Sequence, residues 1–464
     1  MFKDVFDRQR LYFRSGKLLD IEVRKSIIKQ VRKMVIDEEP RILEALKLDL
    51  NKSEQEAYIT EILPVMNEID YILKHLSGWS RKKRGKGTLF SPFSTYYTKP
   101  EPKGQVLVVS PFNYPFQLTL IPLVSALAAG NTVILKVSEI SSNTGKLLVE
   151  LFDALFSEEL VYCTDVDPSG FGDLFELPYN HVFFTGSTRI GREIYCLGAR
   201  NLSSMTLELG GKSPAIVHRS ANLRLAARKI VWGKFLNVGQ TCIAPDYLLV
   251  DRAVREEFMG LLVDEIGLQF KDSLVDEAYG KIINEKHFWR LVGLLDREKV
   301  FYGGGHDEST LKIEPTLVED FAHSSRLLSE EIFGPILPVI YFDGDVNGDV
   351  AVGNEILEVV GRNPEPLALY VFSEDRKFIN FVLDRVPAGG CCFNDVLVHL
   401  LSVDVPFGGR GSSGLGSYHG VHGFLAFSHV KTVCRTPGWF DLSARYERGN
   451  LSKFVRLLKK FKGW

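Results

Sequence analysis

Apolar side chains follow a helical period at the start of the chain. They recur at or near the i, i+4, i+7 spacing of a helix with one apolar face. The positions are Ile27, Val31, Met34 and Val35, and then Ile62, Met66, Ile69 and Leu73. The first ~80 residues are therefore predicted to be helical. The basic, glycine-containing stretch SRKKRGKG (80–87) that follows is interpreted as a solvated linker.

Beyond this linker, short apolar runs rich in β-branched residues alternate with segments of helical length. The runs are 104–110, 131–137, 181–186, 247–250, 336–342 and 366–372. Helices are expected at 116–129, 142–156, 253–268 and 374–386. Strands that alternate with helices predict parallel sheets covered on both faces. The predicted fold class is α/β, with two doubly wound domains that meet near 209–212, where LGGK interrupts the alternation.

The composition of the whole chain narrows its function. The 464 residues are 45% hydrophobic and 25% charged, as in an ordinary globular protein, and this length suits two or three domains. A net charge of −2 argues against nucleic-acid binding. The N-terminus has no signal-peptide core, and no apolar run is long enough to span a membrane. Because the six cysteines show no CxxC spacing or disulfide framework, we expect a cytoplasmic protein.

Two features near the C-terminus are a pair of histidines and a basic tail. His419 and His422 lie three residues apart, but without neighbouring Cys or carboxylate partners they predict packing groups rather than a metal site. The tail SKFVRLLKKFKGW (452–464) predicts a short basic amphipathic helix. Such a helix either docks on the protein or makes weak, reversible contact with an anionic membrane surface.

Cys242 is the first candidate for chemistry, within NVGQTCIAPD (237–246). Its neighbours are glycine, asparagine and proline, which is the composition of a tight loop rather than of a core strand. A free thiol has a pKa of about 8.5. Backbone amides near the sulfur would favour the nucleophilic thiolate, and the segment GQTC could present such amides. The alternative is an inert cysteine that only packs.

Two polar residues at strand ends could assist this thiol. Glu208 precedes Gly210 and Gly211, whose missing side chains leave room for substrate or water, and partial burial would raise its pKa toward that of a general base. Asn113, in SPFNYPF (110–116), follows an apolar strand at the edge where α/β sheets bind ligands. Prolines stiffen that turn, so the Asn113 amide suits an oxyanion donor. Taken singly, a surface glutamate and a turn asparagine are the simpler interpretations.

Other segments could hold a phosphate-containing ligand. FFTGSTRIG (183–191) joins a strand to a predicted helix, whose N-terminal amides attract phosphate, although the spacing is not GxGxxG. LKVSE ends another strand with Lys136 and Glu139, either of which could reach ribose hydroxyls. The glycines of EEIFGP (330–335) and PFGGRGSSGLGSYHG (406–420) indicate either backbone bending or close approach to a ligand.

As a set, and in this order, these segments resemble the aldehyde dehydrogenase superfamily. The motifs are PFNYPF, FTGSTRIG, LELGGKSP, GQTC, EEIFGP and PFGG…SGLGSYHG, and the interval from Glu208 to Cys242 is also similar. The likeness runs nearly from end to end. SGK, LDLNKSEQEAYITEI, NPEPLALYVFS and GGCCFNDVLVH look like the class 3 branch, which includes fatty and medium-chain aldehyde dehydrogenases.

The resemblance implies NAD(P)-dependent oxidation of an apolar aldehyde to a carboxylic acid. Cys242 would attack the aldehyde carbon to form a thiohemiacetal, and the Asn113 side chain and the Cys242 backbone amide would hold its oxyanion. Hydride transfer to the nicotinamide would leave a thioester, which water activated by Glu208 would hydrolyse. In class 3 relatives Glu331 is a candidate second base.

The resemblance also implies a dinucleotide site. Its residues are Lys136 and Glu139 at the adenosine ribose, Gly186 and Ser187 at the pyrophosphate, and Glu331 and Phe333 at the nicotinamide ribose, with Leu209, Gly210 and Gly191 beside them. An acidic residue at 139 disfavours a 2′-phosphate, so NAD is expected, with NADP also possible. The chain departs from the family pattern at Val137, at Arg410 and over 156–180, which bears on the cofactor pocket rather than on the chemistry.

Together these features predict a domain plan and a partner. The cofactor domain is expected over 1–209, the catalytic domain over 210–417, and a small bridging and oligomerisation arm from 86–103 with 418–464. The class 3 branch implies a homodimer.

Three alternatives stay open: a cysteine hydrolase, for which no histidine has a suitable local setting; a catalytically silent binding or structural protein; and a CoA-acylating dehydrogenase. The catalytic residues together argue against the second, and Glu208 favours water over CoA.

Overall fold

The computed structural model describes most of the chain. The described residues are 2–88, 91, 93–166, 170–295, 299–319, 325–343, 350–441, 446, 452, 455–456 and 459–460. Most of the predicted C-terminal basic helix (452–464) lies outside them.

Helices fill the N-terminal region and then separate the strands. In the described residues the α-helices are α1 (Phe2–Arg14), α2 (Ile21–Asp37), α3 (Glu39–Leu50), α4 (Glu54–Ala57), α5 (Leu63–Trp79), α6 (Gln117–Ala129), α7 (Ser142–Leu155), α8 (Phe171–Phe175), α9 (Thr188–Arg200), α10 (Leu223–Phe235), α11 (Arg255–Gln269), α12 (Glu285–Leu295), α13 (Arg326–Ser329), α14 (Val350–Gly361), α15 (Arg376–Arg385) and α16 (Gly420–Ala426). A π-helical turn, Tyr58–Ile62, joins α4 to α5. The helices predicted at 116–129 and 142–156 are confirmed, each to within one residue. A helix long and apolar enough to cross a membrane is not found in the described part of the chain.

Strands occupy the six predicted apolar runs, and further strands lie outside those runs. They are β1 (Lys83–Arg84), β2 (Thr95–Pro102), β3 (Gln105–Val109), β4 (Thr132–Lys136), β5 (Val161–Thr164), β6 (His181–Thr185), β7 (Ser204–Glu208), β8 (Pro214–Val217), β9 (Tyr247–Asp251), β10 (Val300–Tyr302), β11 (His306–Asp307), β12 (Lys312–Ile313), β13 (Thr316–Val318), β14 (Ile336–Phe342), β15 (Ala368–Phe372), β16 (Gly390–Phe393), β17 (Gly414–Leu415) and β18 (Ser428–Arg435). The run predicted at 336–342 coincides with β14.

Two mainly parallel sheets form the body of the described structure. The first has the order β17-β7-β6-β3-β4-β5, with antiparallel β17 at its edge; the second has the order β10-β13-β14-β9-β8-β15-β16, with antiparallel β10 at its edge. The α/β fold class is therefore confirmed. A smaller antiparallel sheet pairs β2 with β18, and β1 adds to its side. The domain boundaries at 209/210 and 417/418 stay predictions.

Helix α6 lies at the centre of the first half. All its residues are buried, because α2, α5, α16 and the strands β3 and β4 surround it. An almost wholly apolar helix suits such an enclosed position. Since α6 begins directly after the loop 110–116, its packing also fixes where that loop lies.

Candidate active site

The carboxyl ends of parallel strands bring the predicted residues to one edge of the first sheet. Strand β4 ends at Lys136, β6 is followed by Gly186, β7 ends at Glu208, and Asn113 lies in the loop after β3. The ends of β6 and β7 are level, because Thr185 pairs with Glu208. Ligands of α/β proteins bind at this kind of edge, as the sequence predicts for these residues.

Cys242 lies in the loop between α10 and β9, and its thiol is half-buried. Burial, and then the negative charges of Glu331 and Glu208, raise the pKa of this thiol to about 12. The backbone amides of Cys242 and Ile243 act in the opposite direction, because they donate toward the sulfur and favour the thiolate. The amides predicted from GQTC are thus present, but in the protein alone burial and the two carboxyl groups outweigh them.

The backbone before Cys242 is strained. Asn237, Val238 and Gly239 have φ values of 50°, 54° and 72°. The left-handed region is unfavourable for a β-branched residue such as Val238, and each such residue costs on the order of 1–3 kcal/mol. A Cβ atom at Gly239 would overlap the carbonyl oxygen of Gly334, so this position requires glycine. Strain of this kind is concentrated at functional sites.

The Asn113 loop and the Cys242 loop are bound to each other. The Asn113 side-chain amide donates to the backbone oxygen of Gln240 at 3.0 Å. The hydroxyl of Tyr114 lies 2.6 Å from Thr241 Oγ1. Because Asn113 and Tyr114 are buried, water does not compete strongly for these bonds. The structure therefore brings Asn113 beside the residues that lead into the nucleophile loop.

Glu208 is a buried carboxyl group, with 3% of its surface exposed. No group in the described part of the chain forms a hydrogen bond with either of its side-chain oxygens. Burial raises the pKa of Glu208 well above its ordinary value, because the charged form loses its hydration. The negative charge of Glu208 is one of the causes that raise the pKa of the Cys242 thiol. The surface-glutamate alternative is wrong.

A second carboxyl group, Glu331, fills the space that Gly210 leaves. A Cβ atom at Gly210 would overlap the Glu331 carboxylate, which also accepts a hydrogen bond from the Gly211 amide. Burial, and then the charge of Asp246, raise the pKa of Glu331 to about 8. The space predicted for substrate or water at these glycines is filled, on the Gly210 side, by the Glu331 carboxylate.

Two residues that the sequence analysis did not single out hold the ends of the Cys242 loop. Gln240 Oε1 accepts a hydrogen bond from the Ile283 amide at 3.1 Å. Asp246 Oδ1 accepts one from the Ile332 amide at 3.0 Å. Their partners lie far along the chain, so the roles of these two residues could not be identified from the sequence around Cys242.

Lys136 and Glu139 form an ion pair with each other at the end of β4. The Lys136 ammonium also lies 4.6 Å from the centroid of the Phe171 ring, and burial lowers its pKa. Phe171 belongs to the unusual segment 156–180, so that segment directly covers a predicted cofactor residue. The other two departures from the family pattern are Val137, which is buried, and Arg410, which forms a surface ion pair with Glu365.

The turn after β6 has the features of a phosphate site. Ser187 is exposed and caps α9, its hydroxyl accepting from the Ile190 amide at 3.4 Å. A Cβ atom at Gly191 would lie 2.5 Å from Leu209 Cδ2, so glycine allows the helix to approach the strand end. The Gly186 amide, by contrast, is already used, because it donates to the backbone oxygen of Glu208 at 3.0 Å.

Comparison with known proteins identifies the family of this chain. The family model described as "Aldehyde dehydrogenase family" matches residues 3–433.

The chain belongs to the aldehyde dehydrogenase family.

This aldehyde dehydrogenase has relatives that match it over most of their length. It is 38% identical over 425 residues to "Aldehyde dehydrogenase family 3 member A2" of Rattus norvegicus, which covers 91% of this chain and 86% of that protein. It is 36% identical over 460 residues to "Aldehyde dehydrogenase, dimeric NADP-preferring" of Canis lupus familiaris, covering 98% and 99%. The solved substrate-bound state of Staphylococcus aureus AldH superposes with a TM-score of 0.95 at 36% identity, covering 99% and 100%. The protein is thus an NAD(P)-dependent enzyme that oxidises aldehydes to acids.

The residues of this aldehyde dehydrogenase fit a nicotinamide dinucleotide. The exposed N-terminus of α9 offers amides to a pyrophosphate, and Lys136 with Glu139 offers a donor and an acceptor to ribose hydroxyls. The absence of a side chain at Gly191 lets α9 approach Leu209, and the absence of one at Gly210 lets the Glu331 carboxylate approach the backbone. Phe333, with φ of 51°, places its ring 5.8 Å from that of Phe112, beside the Asn113 loop.

Proposed function

We propose that Cys242 is the nucleophile of this aldehyde dehydrogenase, that Asn113 and the Cys242 amide hold the oxyanion, and that Glu208 is the general base. The observation that carries this assignment is the Glu208 carboxyl group, which is buried and has no hydrogen-bond partner among the described residues. Its negative charge also helps to raise the pKa of the Cys242 thiol. A buried carboxyl group without a partner is costly, so its place calls for a function.

The assigned residues divide the oxidation into two steps. The Cys242 sulfur attacks the aldehyde carbon and the thiol proton passes to solvent, which gives the oxyanion of a thiohemiacetal and leaves Glu208 free to act as a base. The Asn113 amide and the Cys242 N–H stabilise the negative oxygen. Bound NAD(P) supplies the acceptor for the hydride that leaves this carbon. Glu208 then takes a proton from water, which attacks the resulting thioester and releases the acid from Cys242.

The first test of this assignment concerns Asn113. We expect Asn113→Ala to slow single-turnover NADH formation by about 100-fold, since the oxyanion loses one donor. Rapid mixing with enzyme in excess of aldehyde measures this step.

A matched control is Asn201→Ala, which removes another bond from an asparagine amide to a backbone oxygen, at the exposed end of α9. We expect the control to stay within about two-fold of the parent rate. If Asn113→Ala retained more than a third of that rate, Asn113 would not be an oxyanion donor.

We further propose a preference for NAD over NADP. Glu139 lies at the end of β4 and neutralises Lys136, so a 2′-phosphate would meet an acidic group and a lysine that is already paired.

Glu139→Gln removes this repulsion and should shift the ratio of kcat/KM values toward NADP by about ten-fold, which corresponds to ~1.4 kcal/mol. Steady-state assays with each cofactor in turn measure the ratio. Glu150→Gln, an exposed exchange on α7, should leave it unchanged. An unchanged ratio in Glu139→Gln would reject Glu139 as the discriminating residue.

The substrate that the site fits best is an apolar aldehyde. The rings of Phe112, His287 and Phe333 are in contact next to the Asn113 loop, with Phe112 lying 5.2 Å from His287. Burial lowers the pKa of His287 to about 4, so this ring is neutral near pH 7. An uncharged aromatic surface of this kind favours an apolar chain over a charged one. Assays of a panel of aliphatic, aromatic and charged aldehydes, with NAD and NADP separately, test the assignment.

We propose a cofactor domain over 1–209, a catalytic domain over 210–417, and an arm from 86–103 with 418–464. A homodimer is supported by the canine relative, which is named as a dimeric enzyme. A cytoplasmic location is supported by the six cysteines, which all lie among the described residues and are all free. Membrane contact by the C-terminal tail stays a prediction from its sequence.

A further inference from the structure

Three charged side chains of one N-terminal segment lie behind the active site. The segment runs from the end of α3 through α4 into the π-helical turn, and it carries Lys52, Glu56 and Glu61. The side chains of Lys52 and Glu61 are fully buried, with 0% of their surface exposed, and Glu56 is half-buried. Charges are rarely buried unless they are paired, so their partners indicate their purpose.

Lys52 reaches the oxyanion loop from behind. Its ammonium group donates to Glu61 Oε1 at 2.6 Å and to the backbone oxygen of Asn113 at 3.2 Å. It also lies 4.0 Å from the centroid of the Tyr114 ring. The other Glu61 oxygen accepts from the Gln117 amide, at the start of α6, at 2.9 Å. The pair therefore holds this loop at Asn113 itself and at its C-terminal end, where α6 begins.

Glu56 reaches the nucleophile loop. Its Oε1 accepts from the backbone amide of Asn237 at 2.9 Å, at the first of the three positions with positive φ. The Asn237 side chain in turn donates to the backbone oxygens of Asn113 at 2.9 Å and Gln240 at 3.1 Å. Gln240 is the residue whose carbonyl accepts the Asn113 amide. The two loops and the segment therefore form one hydrogen-bonded network.

We propose that Lys52, Glu56 and Glu61 are positioning residues, which set the distance between the Asn113 amide and the Cys242 loop without touching substrate or cofactor. Because Lys52 binds one loop, Glu56 binds the other, and both residues stand on one short segment, that segment fixes the separation of the two oxyanion donors. The inference rests on the proposed roles of Cys242 and Asn113. A displacement of about 1 Å in such a site can cost on the order of 100-fold in rate.

The central experiment compares two exchanges at one position. Glu56→Ala removes the acceptor of the Asn237 amide, whereas Glu56→Gln keeps an acceptor oxygen of the same reach. In single-turnover NADH formation we expect Glu56→Ala to be slower by 10- to 100-fold and Glu56→Gln to stay within three-fold of the parent. The KM for aldehyde should change less than three-fold in both, because the residue does not contact substrate. Glu54→Ala, an exposed exchange in the same helical turn, serves as the matched control and should retain the parent rate.

The Lys52 arm needs a variant that leaves no buried charge unpaired. The single exchange Lys52→Met would leave the buried Glu61 carboxylate without its cationic partner. It is therefore compared with the double exchange, Lys52→Met together with Glu61→Gln. We expect the double variant to fold, as judged by its thermal midpoint and circular dichroism, and to form NADH at least ten-fold more slowly in a single turnover. A folded double variant with the parent rate would overturn the Lys52 assignment.

The outcomes separate this inference from the function on which it rests. Should Glu56→Ala react within two-fold of the parent, or Glu56→Gln be as slow as Glu56→Ala, the positioning role is wrong while the roles of Cys242 and Asn113 stand. If Cys242→Ala retains activity, the proposed function itself fails. A loss of rate in Glu56→Ala that is matched by an equal loss of folded protein would show a purely structural role and would also overturn the proposal.

Discussion

Replacing Cys242 with alanine is expected to abolish aldehyde-dependent NADH formation, with a residual rate lower by on the order of 10,000-fold or more. The reason is that both steps of the proposed reaction use the same sulfur, first as the attacking atom and then as the leaving group of the thioester. The other residues cannot compensate, because an oxyanion forms only after a nucleophile has added to the aldehyde. Absorbance of NADH in steady-state assays at saturating aldehyde measures the loss.

The protein should fold normally after this exchange. The thiol is half-buried in a loop, so alanine leaves only a small void, and we expect a thermal midpoint close to that of the parent. Cys196→Ala is the matched control, since it removes an exposed thiol from α9 and should leave turnover unchanged. Turnover by a folded Cys242→Ala variant would mean that another group attacks the aldehyde.

Glu208→Gln is expected to stop the reaction after its first half. The amide has nearly the same size as the carboxyl group but cannot accept the proton of the attacking water. We expect a rapid burst of about one NADH per active site, followed by a steady rate lower by about 1,000-fold, within the range that a general base contributes. Stopped-flow absorbance gives the burst, and mass spectrometry of the quenched enzyme should detect the acyl group on Cys242.

The pH dependence of the residual rate identifies any substitute base. Glu331 is the candidate, because burial and Asp246 raise its pKa to about 8. A carboxyl group acts as a base only above its pKa, so hydrolysis through Glu331 should increase as the pH rises through about 8 and disappear below it. A Glu208→Gln variant with the parent rate at all pH values would exclude Glu208 as the base.

Local patterns in the sequence were sufficient for the α/β class, for six of the strands, and for placing several candidate residues at strand ends. Runs such as 336–342 are apolar and β-branched over the whole length of a buried strand, so the strand could be read directly. Asn113, Lys136 and Glu208 could be placed because they stand at or just beyond the ends of such runs, and parallel strands end at one edge.

What the sequence did not reveal depends on contacts between distant parts of the chain. The burial of Lys52 and Glu61 has no local signal, because a lysine and a glutamate in a helical segment normally face solvent. The only clue was the resemblance of the segment that contains them to the class 3 branch. The carboxylate of Glu331 against Gly210 was missed for the same reason, and with it one cause of the high pKa of Cys242.

The late edge strand β17 has a consequence for biosynthesis. It covers the side of β7, whose last residue is Glu208, yet it is synthesised much later than β7, near the C-terminus. While the ribosome is still making the second half, β7 has an open side on which another nascent chain could pair. Aggregation during translation should therefore be most acute just before residues 414–415 emerge, and a chaperone that shields this edge would raise the yield of soluble enzyme.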